Sequence, residues 1–457
     1  MQRRTWVEPV LFGAAFVAVH ALLWWLTTTS GNLPLGDVTI TYRRWIETGQ
    51  QTHFWVGIDE AWVYPILAIV PMAAAALGGV ASIGTGWLVL MVLLDAVVCV
   101  LLWRFRAAIG TVRVRVVWWW LVFLLALGPI GLGRIDTVAT VLALAGVAFV
   151  VSRPAVASVL FTLAAWTKVW PAALVGVLVL LRRGHRRSVV AGALVTTALI
   201  VLVDVLYGGA AYLFSFVGEQ SGRALQIESP LATPFMWAAA LRVRGAAVYY
   251  DREILTFEVS GAGTHAAAAV STPLMALVVL VGVVLALVAV RRGASRAQAA
   301  PVLALVFVAA LIATNKVGSP QYIGWFAVPV VWGLVAGRAS ARRFLPIALL
   351  ALPTAFLTQL VYPGYYDQVL TVQPWILVVL TLRNVLEVVL LVWGIVGLVR
   401  LGAGASSPGR PSDSGSSTGA SAAGGSATGA SSAGASSAGG SSSGVARSAR
   451  PRGRMDA

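Results

Sequence analysis

The sequence predicts an all-α, polytopic membrane protein with about twelve transmembrane helices, and three observations carry that prediction. Hydrophobic residues make up 59% of the 457-residue chain and charged residues only 11%, with a mean hydropathy of +0.85. A water-soluble domain does not have that balance. Apolar runs of about 18 or more residues recur along the chain, the length a helix needs to cross ~30 Å of hydrocarbon. The runs are also uniformly apolar, whereas barrel strands alternate, and backbone groups in lipid must be satisfied within their own segment.

The net charge of +16 raises the possibility of a nucleic-acid partner, but its distribution argues against one. Arginines gather in short connections between apolar runs, as expected of cytoplasmic loops. The single cysteine, Cys99, lies within an apolar run, so neither a disulfide framework nor a cysteine metal site is expected. Met1 to Arg4 and the apolar run that follows resemble a signal peptide, but no small-residue cleavage site is evident. The reading is therefore a retained signal-anchor helix.

Taken in order, the first span is expected at about 8–29, followed by a polar loop and then two apolar stretches. The second of these, at about 83–103, leads into Arg104, Arg106, Arg113 and Arg115. If both stretches crossed, this basic connection would face outside, opposite to Arg3 and Arg4. The first, about 64–79, is therefore assigned to the interface, because it is short, broken by Pro65 and Pro71, and closed by Gly78-Gly79. It belongs to an outer loop, 30–82, with juxtamembrane helices. Further spans are expected at about 116–133, 136–152, 154–167, 169–181 and 188–207. A long outer loop, 208–265, precedes spans at about 266–290, 297–314, 321–337, 344–361 and 374–400. Both termini then lie on the cytoplasmic side, and residues 1–401 form the membrane domain. From 402 to 457 the chain is Gly, Ala and Ser with a basic end, too poor in apolar area to offset its ordering entropy. It is expected to be a disordered cytoplasmic tail.

Polar residues are scarce enough to be weighed one at a time. Asp37, in Gly36-Asp37-Val38-Thr39-Ile40-Thr41-Tyr42-Arg43-Arg44-Trp45, stands where the chain leaves the first span. By itself it reads as a cap for a surface helix over Val38–Thr48 or as an anchor of the loop. The two lysines, Lys168 and Lys316, each precede a proline that opens the next helix: Lys168-Val169-Trp170-Pro171 and Lys316-Val317-Gly318-Ser319-Pro320. A helix start has free N–H groups that favour anions, so each pair is either a phosphate cradle or ordinary snorkelling. Arg134 and Asp136 share another outer turn and read either as an ion pair fastening two spans or as substrate contacts. His53, Asp59 and Glu60 show no metal-ligand spacing. His20, Asp95, Asp204 and Glu387 fall inside apolar runs, where they are costly and functional by default. Asp204 stands near the outer end of its span, where it can reach water, and Asp95 and Glu387 are candidates to pair with Arg383 or with polar groups on neighbouring helices.

Several of these stretches together resemble a known family. Gly36-Asp37 with Tyr42 and Trp45, followed by Tyr64-Pro65, resembles the first outer loop of the GT-C superfamily of polytopic glycosyltransferases. Arg134-Ile135-Asp136, Ala164-Ala165-Trp166-Thr167-Lys168-Val169-Trp170-Pro171 and Asn315-Lys316-Val317-Gly318-Ser319-Pro320-Gln321-Tyr322 are similar to glycosyltransferase family 87. That family includes actinobacterial mannosyltransferases that use polyprenyl-phosphate mannose. Its members often carry a histidine after the Ser-Pro pair, where this chain has Gln321 and Tyr322, so no role of that histidine is carried over.

The resemblance implies a GT-C-like enzyme of the plasma membrane that works on the outer face. A polyprenyl-phosphate sugar would be the donor, and a glycolipid or lipoglycan of the cell envelope the acceptor. It makes Asp37 the general base of an inverting transfer and puts Lys168, Lys316 and Arg134 on the donor phosphate. Asp136, Tyr64, Asn315, Gln321, Tyr322 and Arg44 become the expected substrate contacts. Phosphate is a good leaving group, so no metal or other cofactor is called for. Partners are membrane lipids and the two substrates, with no nucleic acid. A transporter or flippase of a lipid-linked or small polar substrate is the rival class, and a structural subunit without activity is a third.

Overall fold

The computed structural model describes residues 7–109, 112–219 and 223–405. The expected tail lies outside them from residue 406 onward, as do Arg3 and Arg4. Among the described residues, seventeen α-helices make the structure mostly helical. In chain order they are α1 (Val7–Thr29), α2 (Arg43–Thr52), α3 (Ile69–Ala75), α4 (Ile83–Leu102), α5 (Val116–Leu127) and α6 (Ile135–Val147). Then come α7 (Pro154–Thr167), α8 (Ala172–Leu181), α9 (Arg186–Leu206), α10 (Ser215–Gly218), α11 (Thr233–Ala240) and α12 (Thr264–Arg291). The last five are α13 (Arg296–Ala313), α14 (Ala327–Val335), α15 (Arg338–Gln359), α16 (Tyr366–Leu370) and α17 (Pro374–Ala405). Two antiparallel hairpins join them, β1 (Arg106–Ile109) with β2 (Val112–Arg115) and β3 (Ala247–Asp251) with β4 (Thr256–Ser260).

The hairpins were not foreseen. β1–β2 forms where a bare basic connection was expected, and β3–β4 lies within the long loop 208–265. That loop is folded: Leu225, Ile227, Met236 and Val259 share a small core with Val361 and Val369, and with Ile376, Leu377 and Leu380 of α17.

Among the described residues, seven helices are long and apolar enough to cross a membrane, against the larger number expected. They contain α1, α4, α9, α12, α13, α15 and α17. The difference lies in α5 to α8 and α14, which have 9 to 14 residues. Fourteen residues rise ~21 Å, short of the ~30 Å core. Their apolar runs are interrupted by 3₁₀ turns at Gly128–Gly131 and Pro320–Phe326 and by the bend at Lys168. Irregular backbone of this kind is tolerated at depth when protein surrounds it. Here it is surrounded, since α6, α13 and α14 are buried on nearly every face. Leu194, Leu199 and Leu202 on α9, Leu277 and Leu280 on α12, and Val378, Val385 and Val392 on α17 instead present apolar side chains outward. Exposed apolar faces on this scale need lipid to cover them.

The intramembrane polar groups sort into separate networks. Asp95 on α4 meets His20 of α1 at 3.1 Å and accepts a hydrogen bond from Trp120, so of its two expected kinds of partner it takes polar groups on neighbouring helices and not Arg383. Glu387 lies 3.2 Å from Arg383, one turn earlier on α17.

Candidate active site

The polar centre is built where several connections meet. Proline and glycine bend the chain at Pro34–Gly36, after which a π-turn over Asp37–Tyr42 runs directly into α2. The expected cap at Asp37 is not formed. Its Oδ2 instead lies 3.1 Å from Arg134 Nε, and the carboxylate keeps 38% of its surface exposed. Arg134 is rigid: Nη1 donates to the Pro34 carbonyl, and Nη2 to the Tyr362 hydroxyl at 3.2 Å. Tyr362 in turn donates to the Asn32 carbonyl at 2.9 Å. Gly133 lets this turn approach, because a side chain there would run into the Pro34 carbonyl. Burial pulls the Arg134 guanidinium toward deprotonation, but Asp37, Tyr362 and Tyr42 outweigh it and push its pKa above the ordinary value. Arg134 and Asp136 are therefore not paired with each other.

Asp136 opens α6 and faces Lys168. The Asp136 Oδ2 to Lys168 Nζ distance is 3.6 Å, an ion pair too long for a hydrogen bond, while Trp325 Nε1 donates to Oδ1 at 3.0 Å. The ammonium sits 4.7 Å from the centre of the Tyr64 ring and 5.9 Å from that of Tyr322. Burial lowers the Lys168 pKa, but Asp136, Tyr64 and Tyr322 outweigh it, so the group is held charged well above neutrality. Behind it, Trp170, Trp325 and Tyr322 stack on one another. Tyr42, Trp45, Trp62 and Tyr64 form a second aromatic group beneath the Asp37 turn.

A cavity of about 490 Å³ opens among these groups. Asp37, Arg134, Lys168, Tyr64, Gln321 and Tyr322 face it, as do Tyr362 and Tyr366. The other candidates are placed differently. Asp136 stands behind Lys168 and does not line the cavity. Arg44 is exposed on α2, outside the lining. Asn315 and Lys316 also lie outside the lining, and their backbone is structural. The Asn315 carbonyl accepts from Ser229 Oγ at 2.5 Å, and the Lys316 carbonyl from Gln226 N–H at 3.0 Å. A Cβ on Gly318 would collide with the backbone of Glu228 and Ser229, so the two strips are in direct contact.

Sequence reasoning missed the whole second strip. Gln226 and Glu228 line the cavity opposite the Ser-Pro turn, as do Arg223 and Phe257. Arg223 Nε is buried without a hydrogen-bond partner among the described residues. Glu228 is 3% exposed and its Oε2 accepts from Arg383 Nη1 at 3.0 Å. Burial raises its pKa, opposed by Arg383 and more weakly by Arg134. The one local signal was Ser229-Pro230, a second Ser-Pro pair opening a 3₁₀ turn as Ser319-Pro320 does.

An apolar groove of about 630 Å³ lies between α3 and α9, lined by Trp55, Ile66, Leu67, Ala73, Leu199 and Ile200 among others. Tyr64 lines the polar cavity and Ile66 the groove, two residues apart in the chain. Asp204 also lines the groove, and both its oxygens are buried without hydrogen bonds among the described residues.

The model of glycosyltransferase family 87 matches residues 62–320, more than half of the chain. The chain belongs to glycosyltransferase family 87. The cavity is accordingly the candidate active site of a membrane glycosyltransferase, in which a sugar is moved from a donor to an acceptor. Tyr64, Arg134, Asp136, Lys168, Glu228 and Lys316 fall inside the stretch matched to the family, whereas Asp37, Gln321, Tyr362 and Arg383 fall outside it. No curated protein matches this family 87 chain.

Proposed function

We propose that this family 87 enzyme transfers mannose from a polyprenyl-phosphate donor to a glycolipid or lipoglycan acceptor of the cell envelope, inverting the anomeric carbon. The site would face the outer side of the plasma membrane, with both termini cytoplasmic. One observation carries the reading: a charged cavity and an apolar groove are lined by residues two apart in the chain, Tyr64 and Ile66. A lipid-phosphate sugar has the same two-part chemistry, an isoprenoid chain for the groove and a charged head for the cavity.

Asp37 is the base in this reading. Arg134 fixes one carboxylate oxygen, and the other has no hydrogen-bond donor among the described residues, leaving it for an acceptor hydroxyl. As Asp37 takes the hydroxyl proton, that oxygen attacks the anomeric carbon from the face opposite the phosphate. The anomeric C–O bond breaks and its electron pair leaves with polyprenyl phosphate. Phosphate charge grows as the bond breaks, and a fixed ammonium such as Lys168 stabilises it without reorganising. Arg223 adds a second cation. Arg134 serves the base rather than the phosphate, and Lys316 acts through its backbone. Gln321 and Tyr322 remain as substrate contacts.

Base assistance contributes ~10²–10⁴-fold, so Asp37→Asn should lower turnover by about that factor while donor binding stays intact. The measurement is radiolabel transfer by purified protein from a panel of polyprenyl-phosphate sugars to envelope-lipid acceptors. Retained transfer in Asp37→Asn removes Asp37 from the mechanism. Donor movement across vesicles without any transfer would favour the transporter class.

A further inference from the structure

We infer that Glu228, held by Arg383, binds the hydroxyl groups of a pyranose ring in the cavity, as a second substrate carboxylate distinct from the base. This rests on the proposed glycosyl transfer and adds to it a recognition element for the sugar.

The placement is rigid. Arg383 Nη1 donates to Glu228 Oε2 at 3.0 Å, and Nη2 donates to the Glu228 backbone carbonyl, so one guanidinium grips both side chain and main chain. Arg383 is itself fixed by Glu387 at 3.2 Å and by the Asn384 amide oxygen at 2.7 Å. Asn384 donates to Thr233 Oγ1 at 2.8 Å, which ties α17 to the start of α11. On its other side the Glu228 strip is bound to the Ser-Pro strip through Gln226 and Ser229. A side chain with this many constraints keeps one rotamer, as a recognition group must.

The chemistry selects the ligand. Only Oε2 is used by protein; Oε1 has no donor among the described residues, and the residue lines the cavity. A carboxylate oxygen without a protein donor on a residue of the cavity wall accepts hydrogen bonds, which are strong because the acceptor is charged. Phosphate is the wrong partner for it, being an anion and having Lys168 and Arg223 as cations in the same wall. A ring bearing neighbouring hydroxyls is the right one. Tyr362, Tyr366 and Phe257 line the cavity with Glu228 and pack edge to face, supplying the flat apolar surface that a sugar's C–H face covers.

A purely structural role makes the opposite prediction. If Glu228 only neutralises Arg383, removing both charges together restores normal behaviour, because a buried ion pair is often replaceable by apolar groups. The test therefore compares Glu228→Gln with the double variant Glu228→Gln/Arg383→Met, both made in a Glu387→Gln background so that removing Arg383 strands no second buried carboxylate. Polyprenyl-phosphate mannose is the donor probe and octyl α-mannoside the acceptor probe, and bare polyprenyl phosphate binding reports folding. The expected result is a KM raised about tenfold or more for one sugar probe in both variants, the effect of losing a charged hydrogen bond. Turnover at saturation changes little and bare polyprenyl phosphate binds as before. A rise for the donor assigns Glu228 to the transferred sugar, and a rise for the acceptor assigns it to the receiving one. Should Glu228→Gln fail to fold, Glu228→Asp keeps the charge on Arg383 while withdrawing the oxygens, and the same rise is expected. Unchanged KM values in both arms, or a normal KM in the double variant, overturn the assignment and leave the transferase reading standing. A wild-type protein that transfers no sugar from any donor in the panel sinks both.

Discussion

Lys168 and Asp136 show how one ion pair links stability to the site. The pair is nearly buried, and removing one member of such a pair leaves a charge without compensation. Lys168→Met should therefore destabilise the protein by about 3 kcal/mol as well as weaken donor binding. Thermal unfolding in detergent reads the first effect, and the second should be restored in neither Asp136→Asn nor the double variant. The sign of the pH dependence follows from the raised Lys168 pKa. Its contribution is fully present below the ordinary lysine value of ~10.4 and is lost only as pH rises through the folded value. The stability difference between wild type and Lys168→Met should thus be flat from about pH 6 to 9. A decline within that interval would mean that the lysine is not held charged. Both lysines were conspicuous in the sequence, but only Lys168 faces the cavity. Nothing local separates them: each stands a few residues before a proline at a helix start, and which side chain points inward is set by the partner packed against it.

At the scale of elements, the site depends on two strips, Gln226–Pro230 and Asn315–Pro320, laid against each other. Gly318 is the point of closest approach. Gly318→Ala places a methyl group against backbone that cannot swing away, so the strips must separate. A loss of at least about tenfold in turnover is expected, with the α-helix content by circular dichroism unchanged. Normal turnover in Gly318→Ala would show that the contact is not needed for catalysis. The Ser319-Pro320 strip was legible from its lysine, glycine and proline. Its partner was not, because Glu228 looks like any acidic residue of a long polar loop. Its meaning comes from Arg383, which is 155 residues away in the chain. The Asp37 turn shows the same limit: its cap reading was sound locally, and Arg134, brought in from another connection, took the carboxylate instead.

For the whole molecule, the groove beside the cavity makes lipid length a testable variable. Ala73 is exposed in the groove wall, so Ala73→Trp adds bulk there without entering the core. The expected outcome is a KM several-fold higher for long-chain polyprenyl donors, with short-chain donors little changed, since each buried CH₂ is worth ~0.8 kcal/mol. Equal effects on both chain lengths would place the lipid elsewhere. Orientation is open to cysteine labelling, because the one native cysteine is buried and gives little background. His53→Cys should react with an impermeant reagent from outside, and Gly184→Cys, at a position with open space around it, only after permeabilisation. The reverse pattern would move the site to the cytoplasmic face.

Composition and the length of the apolar runs were enough to determine a helical membrane protein, because transfer into lipid is set by each segment's own side chains and backbone. The same local signals exposed Asp37, Lys168 and Arg134, since a charge in an apolar chain stands out wherever it falls. The tertiary structure decided which charges face one another. It paired Asp37 with Arg134 and Asp136 with Lys168, put Glu228 into the cavity wall on Arg383, and left Arg44 outside. It also broke several expected spans into short helices enclosed by protein. These outcomes depend on contacts between segments far apart in the chain, and no local pattern records them.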